Sequence, residues 1–259
     1  MRIERQTMGV RATSLSADSP VRTKVAIVTG ASRGIGHGIA ERLLERGYCV
    51  VANSRNITSA KTWRPGDQLK LIDGDIGNPD VAKQVMDSAI HNFGRIDLLV
   101  NNAGVFIPKP FTEYTAEDFR RATDTNLGGF LYVSQLGASQ MRLQKSGHIV
   151  SITSSIVDQP VAGLTGSFIN LTKGGLESVT RALAIEFARD GVRFNAISPG
   201  VVNTPMHQVE AHEFLKKLSP LNRLAEISEV VDLVEFLESA PFVNGEVIHL
   251  DGGAHAGKW

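Results

Sequence analysis

The sequence is short of cysteine, of net charge and of long apolar runs, and each shortage excludes a class of protein. Cys49 is the only cysteine among 259 residues, so no disulfide forms within the chain. It lies in an apolar run, which predicts a buried strand residue rather than a reactive thiol. Lys plus Arg and Asp plus Glu both number 27, so no overall field attracts nucleic acid or an anionic membrane. No apolar run reaches the ~18 residues that span a bilayer.

The first 22 residues differ in composition from the rest of the chain. Residues 1–22 are polar and lack the apolar segment of a secretory signal, so they predict a flexible extension ahead of a domain at 23–259. An artificial or misassigned start is the alternative. Together with the lone cysteine, this predicts a cytoplasmic protein. No interior stretch resembles a linker or a repeat, which predicts a single domain, and no metal site is predicted.

From Lys24 onward, short β-branched runs alternate with segments of helical period. This is the pattern of βαβ units around a parallel sheet. Strands are predicted at 25–29, 49–52, 69–72, 98–100, 148–152, 193–197 and 246–250, and helices at 35–46, 79–93, 116–140 and 166–189. We therefore expect a Rossmann-type, doubly wound α/β domain with a mostly parallel seven-stranded sheet and helices on both faces.

Two further segments carry specific expectations. In the last predicted helix, an apolar stripe indicates either a core face or a subunit interface. Its members are Leu176, Val179, Leu183 and Phe187. Residues 203–226 have weak periodicity and two prolines, so they predict a mobile loop over a ligand site.

A glycine-rich turn follows the first predicted strand and leads directly into a helix. Residues 30–36 read Gly-Ala-Ser-Arg-Gly-Ile-Gly. Glycines let the backbone turn sharply and approach a diphosphate, while free N–H groups at the helix start face the anion. The position between strand and helix makes this pattern more specific than its glycines alone, and it predicts a dinucleotide site.

At this point the sequence resembles the short-chain dehydrogenase/reductase family, over nearly all of residues 24–253. The matching features are the Thr-Gly-x-x-x-Gly-x-Gly pattern at 29–36, Asp75, Asn-Asn-Ala-Gly at 101–104, Asn126, Ser154, Lys173, Pro-Gly-x-x-x-Thr at 199–204 and Asp-Gly-Gly at 251–253. The resemblance implies that Asn126, Ser154 and Lys173 are catalytic. The dinucleotide-binding residues that it implies are Gly30, Ser32, Arg33, Gly34, Ile35, Gly36, Ser54, Arg55, Asp75, Ile76, Asn102, Ala103, Gly104, Lys173, Pro199, Gly200, Val202 and Thr204.

Charge near the end of the second strand predicts which dinucleotide binds. Relatives that prefer NAD carry an acidic residue there, which would repel a 2′-phosphate. Here the position is Ser54, Arg55 follows it, and Arg33 lies in the glycine turn. Two solvated surface arginines are the alternative explanation. The absence of an acid favours NADP(H) over NAD(H).

The resemblance also implies a tyrosine four residues before the lysine, which exchanges a proton while hydride moves between nicotinamide and substrate. Residues i and i+4 share a helix face, so the ammonium lies beside the phenol and lowers its pKa from about 10. Here that position is Ile169, which has no proton to give. The only tyrosines, Tyr48, Tyr114 and Tyr132, lie far from Lys173 in the sequence.

Three functions remain open. The first is an oxidoreductase with a substitute acid, because losing a positioned acid slows a reaction by ~10² to 10⁴ without abolishing it. The candidate acids are a water held by Ser154 and Lys173, Lys173 itself, Thr165, and His207. The second is an NADP(H)-binding sensor or regulator. The third is a structural subunit, against which the retention of Lys173, Ser154 and Asn126 argues.

The resemblance implies a small carbonyl or alcohol substrate and a homo-oligomer, either a dimer or a tetramer, built through the long helices and the last strand. Specificity is expected from residues 158–169 and from the loop at 203–226. Replacing a phenol with Ile169 makes the floor of the pocket drier, which favours an apolar ligand.

Overall fold

A computed structural model describes residues 22–258, in which seven strands form one parallel sheet. The strands are β1 Val25–Thr29, β2 Cys49–Ser54, β3 Leu69–Asp73, β4 Leu98–Asn101, β5 Gly147–Ile152, β6 Val192–Pro199 and β7 Val247–Leu250. Their order is β3-β2-β1-β4-β5-β6-β7, with every neighbouring pair parallel. The predicted Rossmann-type sheet and its strands are confirmed. Apart from Arg22, the extension predicted at 1–22 lies outside the described residues.

Seven α-helices accompany the sheet in the described part of the chain. They are α1 Gly34–Glu45, α2 Pro79–Phe93, α3 Ala116–Thr123, α4 Gly129–Gln144, α5 Ser167–Glu186, α6 His212–Lys216 and α7 Ile227–Ser239. The single helix predicted at 116–140 is wrong, because a π-helical turn at Asp124–Gly128 separates α3 from α4. The sequence analysis also missed α7, although its buried residues Val230, Val234 and Leu237 are spaced three and four apart.

The strands bury both faces of the sheet because their side chains alternate between two cores. In β1, Ala26 and Val28 belong to the core that contains side chains of α1 and α7. Val25 and Ile27 belong to the core that contains side chains of α2 and α4. This two-sided burial explains why the strands read as continuous apolar runs. None of the helices described between residues 22 and 258 has both the length and the apolarity to cross a membrane.

The apolar stripe of α5 lies mainly in the core. Leu176 is buried, and Leu183 and Phe187 pack against the core beside α2 and α4. The exposed large apolar side chains of this helix are instead Leu171 and Ile185. Of the two locations predicted for the stripe, the core is therefore the observed one, and the stripe carries no evidence of a subunit interface.

Cys49 departs slightly from its expectation. It begins β2, as predicted for a strand residue, but its side chain is half-buried rather than buried. Burial raises the pKa of the thiol, although Lys70 partly offsets the effect. A raised pKa leaves little thiolate at neutral pH, which agrees in direction with the expectation of an unreactive thiol.

A buried polar cluster lies at the opposite end of the sheet from the strand carboxyl ends. Asn195 Oδ1 accepts a hydrogen bond from Glu246 N at 3.0 Å, and its Nδ2 donates to Val243 O at 3.0 Å. That orientation also aims Nδ2 at His148 Nε2, 3.0 Å away, so Nε2 must be an acceptor. This assignment puts the ring proton on Nδ1, which donates to Glu238 Oε1 at 2.7 Å, while Arg193 Nη2 lies 3.1 Å from the same nitrogen. His148 is neutral in the folded chain.

Burial and charge set the ionisation of this cluster. Burial lowers the pKa of His148, and the nearby Arg193 cation lowers it further, against the opposing effect of Glu238. Burial alone would raise the pKa of Glu238, but the bond from His148, the charge of Lys24 and the Tyr48 hydroxyl at 3.0 Å outweigh it. The pKa of Glu238 therefore lies below its usual range. The fold depends on a neutral imidazole and an ionised carboxylate.

We expect the free energy of unfolding to fall as pH decreases below about 6.5, because the unfolded chain protonates its free imidazole first. Each fully coupled proton contributes up to about 1.4 kcal/mol per pH unit. His148→Gln should flatten this slope between pH 7 and 5 in urea titrations. His91→Gln, at an exposed position, should keep the native slope. An unchanged slope in His148→Gln would show that His148 is protonated in the fold as well.

Candidate functional site

A cleft of about 740 Å³ opens at the carboxyl ends of the strands, where the winding of the sheet reverses between β1 and β4. Such switch points are where open α/β sheets bind ligands. Every site residue named from the sequence lines this cleft except Gly36 and Asn126. The structure therefore brings together residues that are as much as 174 positions apart in the sequence, from Gly30 to Thr204.

The glycine turn between β1 and α1 forms one wall of the cleft. Gly30 has φ of +67° and Gly34 has φ of +60°, a backbone region that favours glycine. Arg33 occupies the N-cap of α1 in an extended conformation, and its side chain makes no capping hydrogen bond. The first N–H groups of α1 are thus not capped by Arg33, and they form the positive end of a helix dipole. This arrangement fits an anion such as a diphosphate.

Asn102 fastens the glycine turn to the end of β4. Its Nδ2 donates to Thr29 O at 3.0 Å and to Gly30 O at 3.2 Å, while Thr29 Oγ1 accepts from the backbone of Asn102 and Ala103 at 3.1 Å. A Cβ on Gly36 would lie 2.4 Å from Asn102 Nδ2 and 2.5 Å from Gly30 O. Gly36 is therefore required for the packing of the turn, although it does not line the cleft.

Trp63 supports the same turn from outside, and the sequence analysis did not identify it. Its indole Nε1 donates to Ala31 O at 2.9 Å, and its ring centroid lies 4.4 Å from that of His37 in α1. The residue belongs to the segment between β2 and β3, which contains no helix. A lone tryptophan in an otherwise polar loop was the available signal, because burial of an indole usually brings a partner for its N–H.

Two cationic side chains line the cleft, one from the glycine turn and one from the residue that follows β2. Arg33 and Arg55 are exposed and line the cleft together with Ser54. The acid that pairs with Ser54 in the sheet register is Asp73, and its carboxylate accepts from the backbone N of Thr58 at 2.9 Å and from the Thr58 hydroxyl. These bonds hold the pKa of Asp73 below its usual value. Asp73 does not line the cleft, and the carboxylate that lines it together with the two guanidinium groups is that of Asp75.

Asp75 lies between the two ends of the cleft. Its Oδ1 accepts from Gly77 N at 3.0 Å, which fixes the carboxylate in a tight turn after β3. The neighbouring Ile76 is buried but also contributes to the cleft wall. Both residues line the cleft, and their contact with a dinucleotide stays a prediction.

Lys173 lies at the floor of the other end of the cleft. Its side chain is buried, and Nζ donates to Ile152 O at 2.7 Å, at the end of β5. A Cβ on Gly104 would lie 3.3 Å from this Nζ, which explains the glycine at the end of the Asn-Asn-Ala-Gly motif. Burial lowers the pKa of Lys173 to about 8. The lysine is thus mostly charged at neutral pH but loses its proton easily.

Ile169 precedes Lys173 by one turn of α5 and has an apolar neighbourhood. It is buried and lines the cleft. Atoms of Phe106, Ile169 and Ile156 lie 3.0, 3.4 and 3.5 Å from a Cβ built on Gly166, so the three side chains converge there. The sequence analysis did not identify Phe106 or Ile156. The position that the family resemblance assigns to a phenol is dry in this chain.

Ser154 follows β5 and faces the same end of the cleft. It caps a short 3₁₀ turn at Ser155–Val157 without using its hydroxyl as the cap. The hydroxyl is therefore not committed to that turn. Thr165, by contrast, is exposed and does not line the cleft, which removes it from the candidate proton donors.

Asn126 lies behind the cleft wall. Its Oδ1 accepts from Val105 N at 2.8 Å, and its Nδ2 donates to Val105 O at 3.1 Å and to Thr172 Oγ1 at 3.0 Å. These bonds engage both the oxygen and the nitrogen of the side-chain amide, and Asn126 is 2% exposed. The catalytic role that the sequence predicts for Asn126 stays a prediction, and the structure shows its amide joining the π-helical turn to α5 and to the segment after β4.

The segment after β6 closes the cleft. A Cβ on Gly200 would lie 3.0 Å from Asp251 Cα, so the glycine lets the Asp-Gly-Gly segment pack closely. Residues 203–226 form a lid that contains α6, and His207, Leu215 and Leu218 line the cleft from it. Burial and the neighbouring His212 lower the pKa of His207. The side chains that this lid contributes to the cleft include no carboxylate, lysine or arginine.

No group of three or more His, Cys, Asp or Glu side chains that could hold a metal ion occurs between residues 22 and 258.

The chain resembles proteins of known family over most of its length. A family model described as Enoyl-(Acyl carrier protein) reductase matches residues 30–255. A tropinone reductase homologue from Arabidopsis thaliana is 37% identical over 241 residues, which cover 88% of this chain and 91% of that protein. The 3-oxoacyl-(acyl-carrier-protein) reductase FabG of Buchnera aphidicola is 33% identical over 249 residues, covering 90% of this chain and 97% of its own.

Solved structures show the same architecture. A short-chain type dehydrogenase/reductase from Mycobacterium marinum superposes with a TM-score of 0.84 at 27% identity, covering 90% of this chain and 96% of its own. ElxO with NADP bound superposes with a TM-score of 0.81 at 26% identity, covering 91% and 100%. A Tyr→Phe variant of ElxO with NADPH bound gives the same score.

The buried amide of Asn126 should matter for stability. Asn126→Ala leaves the backbone N–H and C=O of Val105 without partners, so we expect the free energy of unfolding to fall by about 2 to 4 kcal/mol in urea denaturation. Ser154→Ala, whose hydroxyl makes no capping bond, should change it by less than about 0.5 kcal/mol. Equal stability of the two variants would contradict the positioning role.

Proposed function

The chain belongs to the short-chain dehydrogenase/reductase family, and on that premise we propose that it is an NADP(H)-dependent oxidoreductase. Its reaction is hydride transfer between nicotinamide and a carbonyl or alcohol substrate, with Ile169 in place of the usual acid. The observation that carries the proposal is the anion-binding turn before α1, with Arg33 and Arg55 lining the same cleft. The comparisons support a nicotinamide cofactor, because related structures contain NADP or NADH.

The residues present fit such a cofactor. The turn between Gly30 and Gly36 leaves no room for side chains at these two positions, which keeps the backbone close to a bound diphosphate. Arg33 and Arg55 would hold the 2′-phosphate, since guanidinium groups bind phosphate through paired hydrogen bonds. Asp75 would face the adenine, and Lys173 would hold the nicotinamide ribose. When bound, the dinucleotide supplies or accepts the hydride.

The chain's own groups orient the substrate. The Ser154 hydroxyl is positioned to hydrogen-bond a carbonyl oxygen, which polarises the C=O bond. Phe106, Ile156 and Ile169 exclude water from this end of the cleft. Leu215 of the lid lines the cleft as well, which favours a substrate with an apolar body. We propose a small, apolar carbonyl or alcohol as the substrate class.

An NADP(H)-binding sensor is the second candidate, and one observation favours it. The residues that would hold the dinucleotide are in place, whereas the position of the phenol is occupied by Ile169, which carries no proton. A sensor needs the residues that hold the dinucleotide, but it does not need a proton donor at position 169. The two functions differ in whether bound NADPH is consumed when a carbonyl compound is added.

We also propose that the chain acts as a homo-oligomer, a dimer or a tetramer. Exposed apolar side chains on two long helices support this, since monomeric proteins rarely expose large apolar patches to water. They are Leu131, Leu136 and Leu143 of α4 and Leu171 and Ile185 of α5.

Removing either cleft arginine should weaken NADPH binding selectively. A charge-assisted hydrogen bond contributes about 1.5 to 3 kcal/mol, so we expect Arg33→Ala or Arg55→Ala to raise the NADPH dissociation constant about 10- to 100-fold, with NADH nearly unaffected. Titration followed by nicotinamide fluorescence measures both. Arg181→Ala, an exposed arginine outside the cleft, is the control. Equal native affinity for NADPH and NADH would contradict the proposed preference.

Restoring the phenol should raise turnover. A positioned acid contributes ~10² to 10⁴ in rate, so Ile169→Tyr should increase kcat for NADPH oxidation by about tenfold or more with 4-nitrobenzaldehyde or another reactive carbonyl. Ile169→Phe adds a ring of similar size without a hydroxyl and should bring no gain. Ordinary native rates with no gain from tyrosine would contradict our interpretation of position 169. Absence of turnover in the native chain and in both variants, with NADPH binding intact, would favour the sensor.

A further inference from the structure

The reacting end of the cleft contains few groups that can release a proton. Five charged or titratable side chains line the whole cleft: Arg33, Arg55, Asp75, Lys173 and His207. The arginines do not deprotonate in proteins, and the first three belong to the half of the cleft that surrounds the glycine turn and the ends of β2 and β3. Serine and threonine hydroxyls are far weaker acids. Lys173 and His207 are thus the side chains to compare.

His207 is the weaker candidate. It lies on the lid, and burial together with the neighbouring His212 lowers its pKa, so the imidazole is mostly neutral at pH 7. A neutral imidazole is a poor acid. The residue also has no described hydrogen bond to β5 or α5 that would fix its distance from the floor of the cleft.

Lys173 is anchored at that floor. Its Nζ donates to Ile152 O at 2.7 Å, one residue before Thr153 and two before Ser154. An ammonium has three protons, so this bond leaves two for groups bound in the cleft. One suffices for a ribose hydroxyl. We propose that Lys173 donates the second directly to the substrate oxygen and so replaces the missing phenol as the catalytic acid, an inference that rests on the proposed reductase function.

The surroundings of Lys173 favour release of this proton. Burial lowers its pKa, and no charged partner is among the causes of the shift. On its own helix the neighbouring acid is Glu177, whose carboxylate accepts from Ser198 Oγ at 3.3 Å on β6 and also bonds Thr153. On β5 it faces the carbonyl of Ile152, and on the segment after β4 it faces Gly104. None of these groups holds the ammonium as a carboxylate would.

The apolar side chain at position 169 is part of the same arrangement. A phenol there would share the lysine's proton and stand between Nζ and the substrate. Ile169 cannot accept a hydrogen bond, so it leaves the ammonium facing the cleft with fewer partners. Isoleucine at position 169 removes the phenol as an acid. It therefore leaves the Lys173 ammonium more acidic and more accessible to a substrate in the cleft.

The proton and electron balance closes without a further reactant. The carbonyl carbon accepts the hydride that NADPH supplies, the C=O π bond breaks, and its electron pair goes to oxygen. The oxygen takes a proton from Nζ as the N–H bond breaks. The products are an alcohol, NADP⁺ and a neutral lysine, which regains a proton from water. In the direction of alcohol oxidation, neutral Lys173 is the base.

The ionisation of Lys173 can be tested without turnover. In the full chain labelled with ¹³C and ¹⁵N, without added dinucleotide, the lysine side-chain NMR signals are followed against pH. The signal that disappears in Lys173→Arg belongs to Lys173. We expect it to titrate near pH 8. A midpoint above about 10, the ordinary value for lysine, would overturn the proposal.

Turnover gives the second test, with 4-nitrobenzaldehyde and NADPH. The native kcat should fall as pH rises through about 8, because the reduction needs protonated Lys173. Lys173→Arg keeps the charge but holds its proton, so kcat should drop at least about 100-fold while the NADPH dissociation constant changes less than about threefold. Lys83→Arg, on the exposed face of α2, is the control. A flat pH profile or native kcat in Lys173→Arg would overturn the proposal.

A double variant separates a lost acid from a lost cofactor contact. Adding Ile169→Tyr to Lys173→Arg supplies a phenol beside a cation, so turnover should recover at least about tenfold over Lys173→Arg alone. Absence of recovery would mean that the lysine acts through cofactor placement, and the proposal fails. Failure of the native chain to bind NADPH would instead contradict the proposed function itself.

Discussion

The candidate site depends on the hydrogen bonds of a single amide side chain. Asn102 bonds the carbonyls of Thr29 and Gly30, and through them it joins the end of β4 to the turn that follows β1. The two strands are neighbours at the switch point of the sheet, so this connection sets the width of the cleft where a diphosphate would enter. The absence of side chains at Gly30 and Gly36 follows from the same contact, since a Cβ at either position would collide with the amide.

The strands and the glycine turn were predictable because their signals are local. A buried parallel strand reads as a short apolar run, and a tight phosphate-binding turn needs glycine at defined positions. The break between α3 and α4 was not predictable in this way. It depends on Asn126 reaching Val105, a contact across 21 residues that no helical period records.

Contacts between residues far apart in the sequence also explain which features of the site could not be predicted. Phe106, Ile156 and Ile169 come from three segments, and their convergence around Gly166 appears only when the sheet is assembled. The burial of Lys173 likewise depends on tertiary structure, which brings its Nζ from α5 to the carbonyl of Ile152 at the end of β5. The sequence identified this lysine only from its place in the motif pattern. The contacts of Asn126 were not predictable for the same reason, since its partners lie on the backbone of a distant loop.

The contact between Trp63 and Ala31 has a practical consequence. The chain has two tryptophans, and the indole of Trp63 bonds the glycine turn that lines the cleft. Indole emission overlaps the absorption band of reduced nicotinamide, and the efficiency of energy transfer between two such groups depends steeply on their separation. If the proposed dinucleotide binds in the cleft, the emission of Trp63 would report its binding and its redox state in real time without any added label.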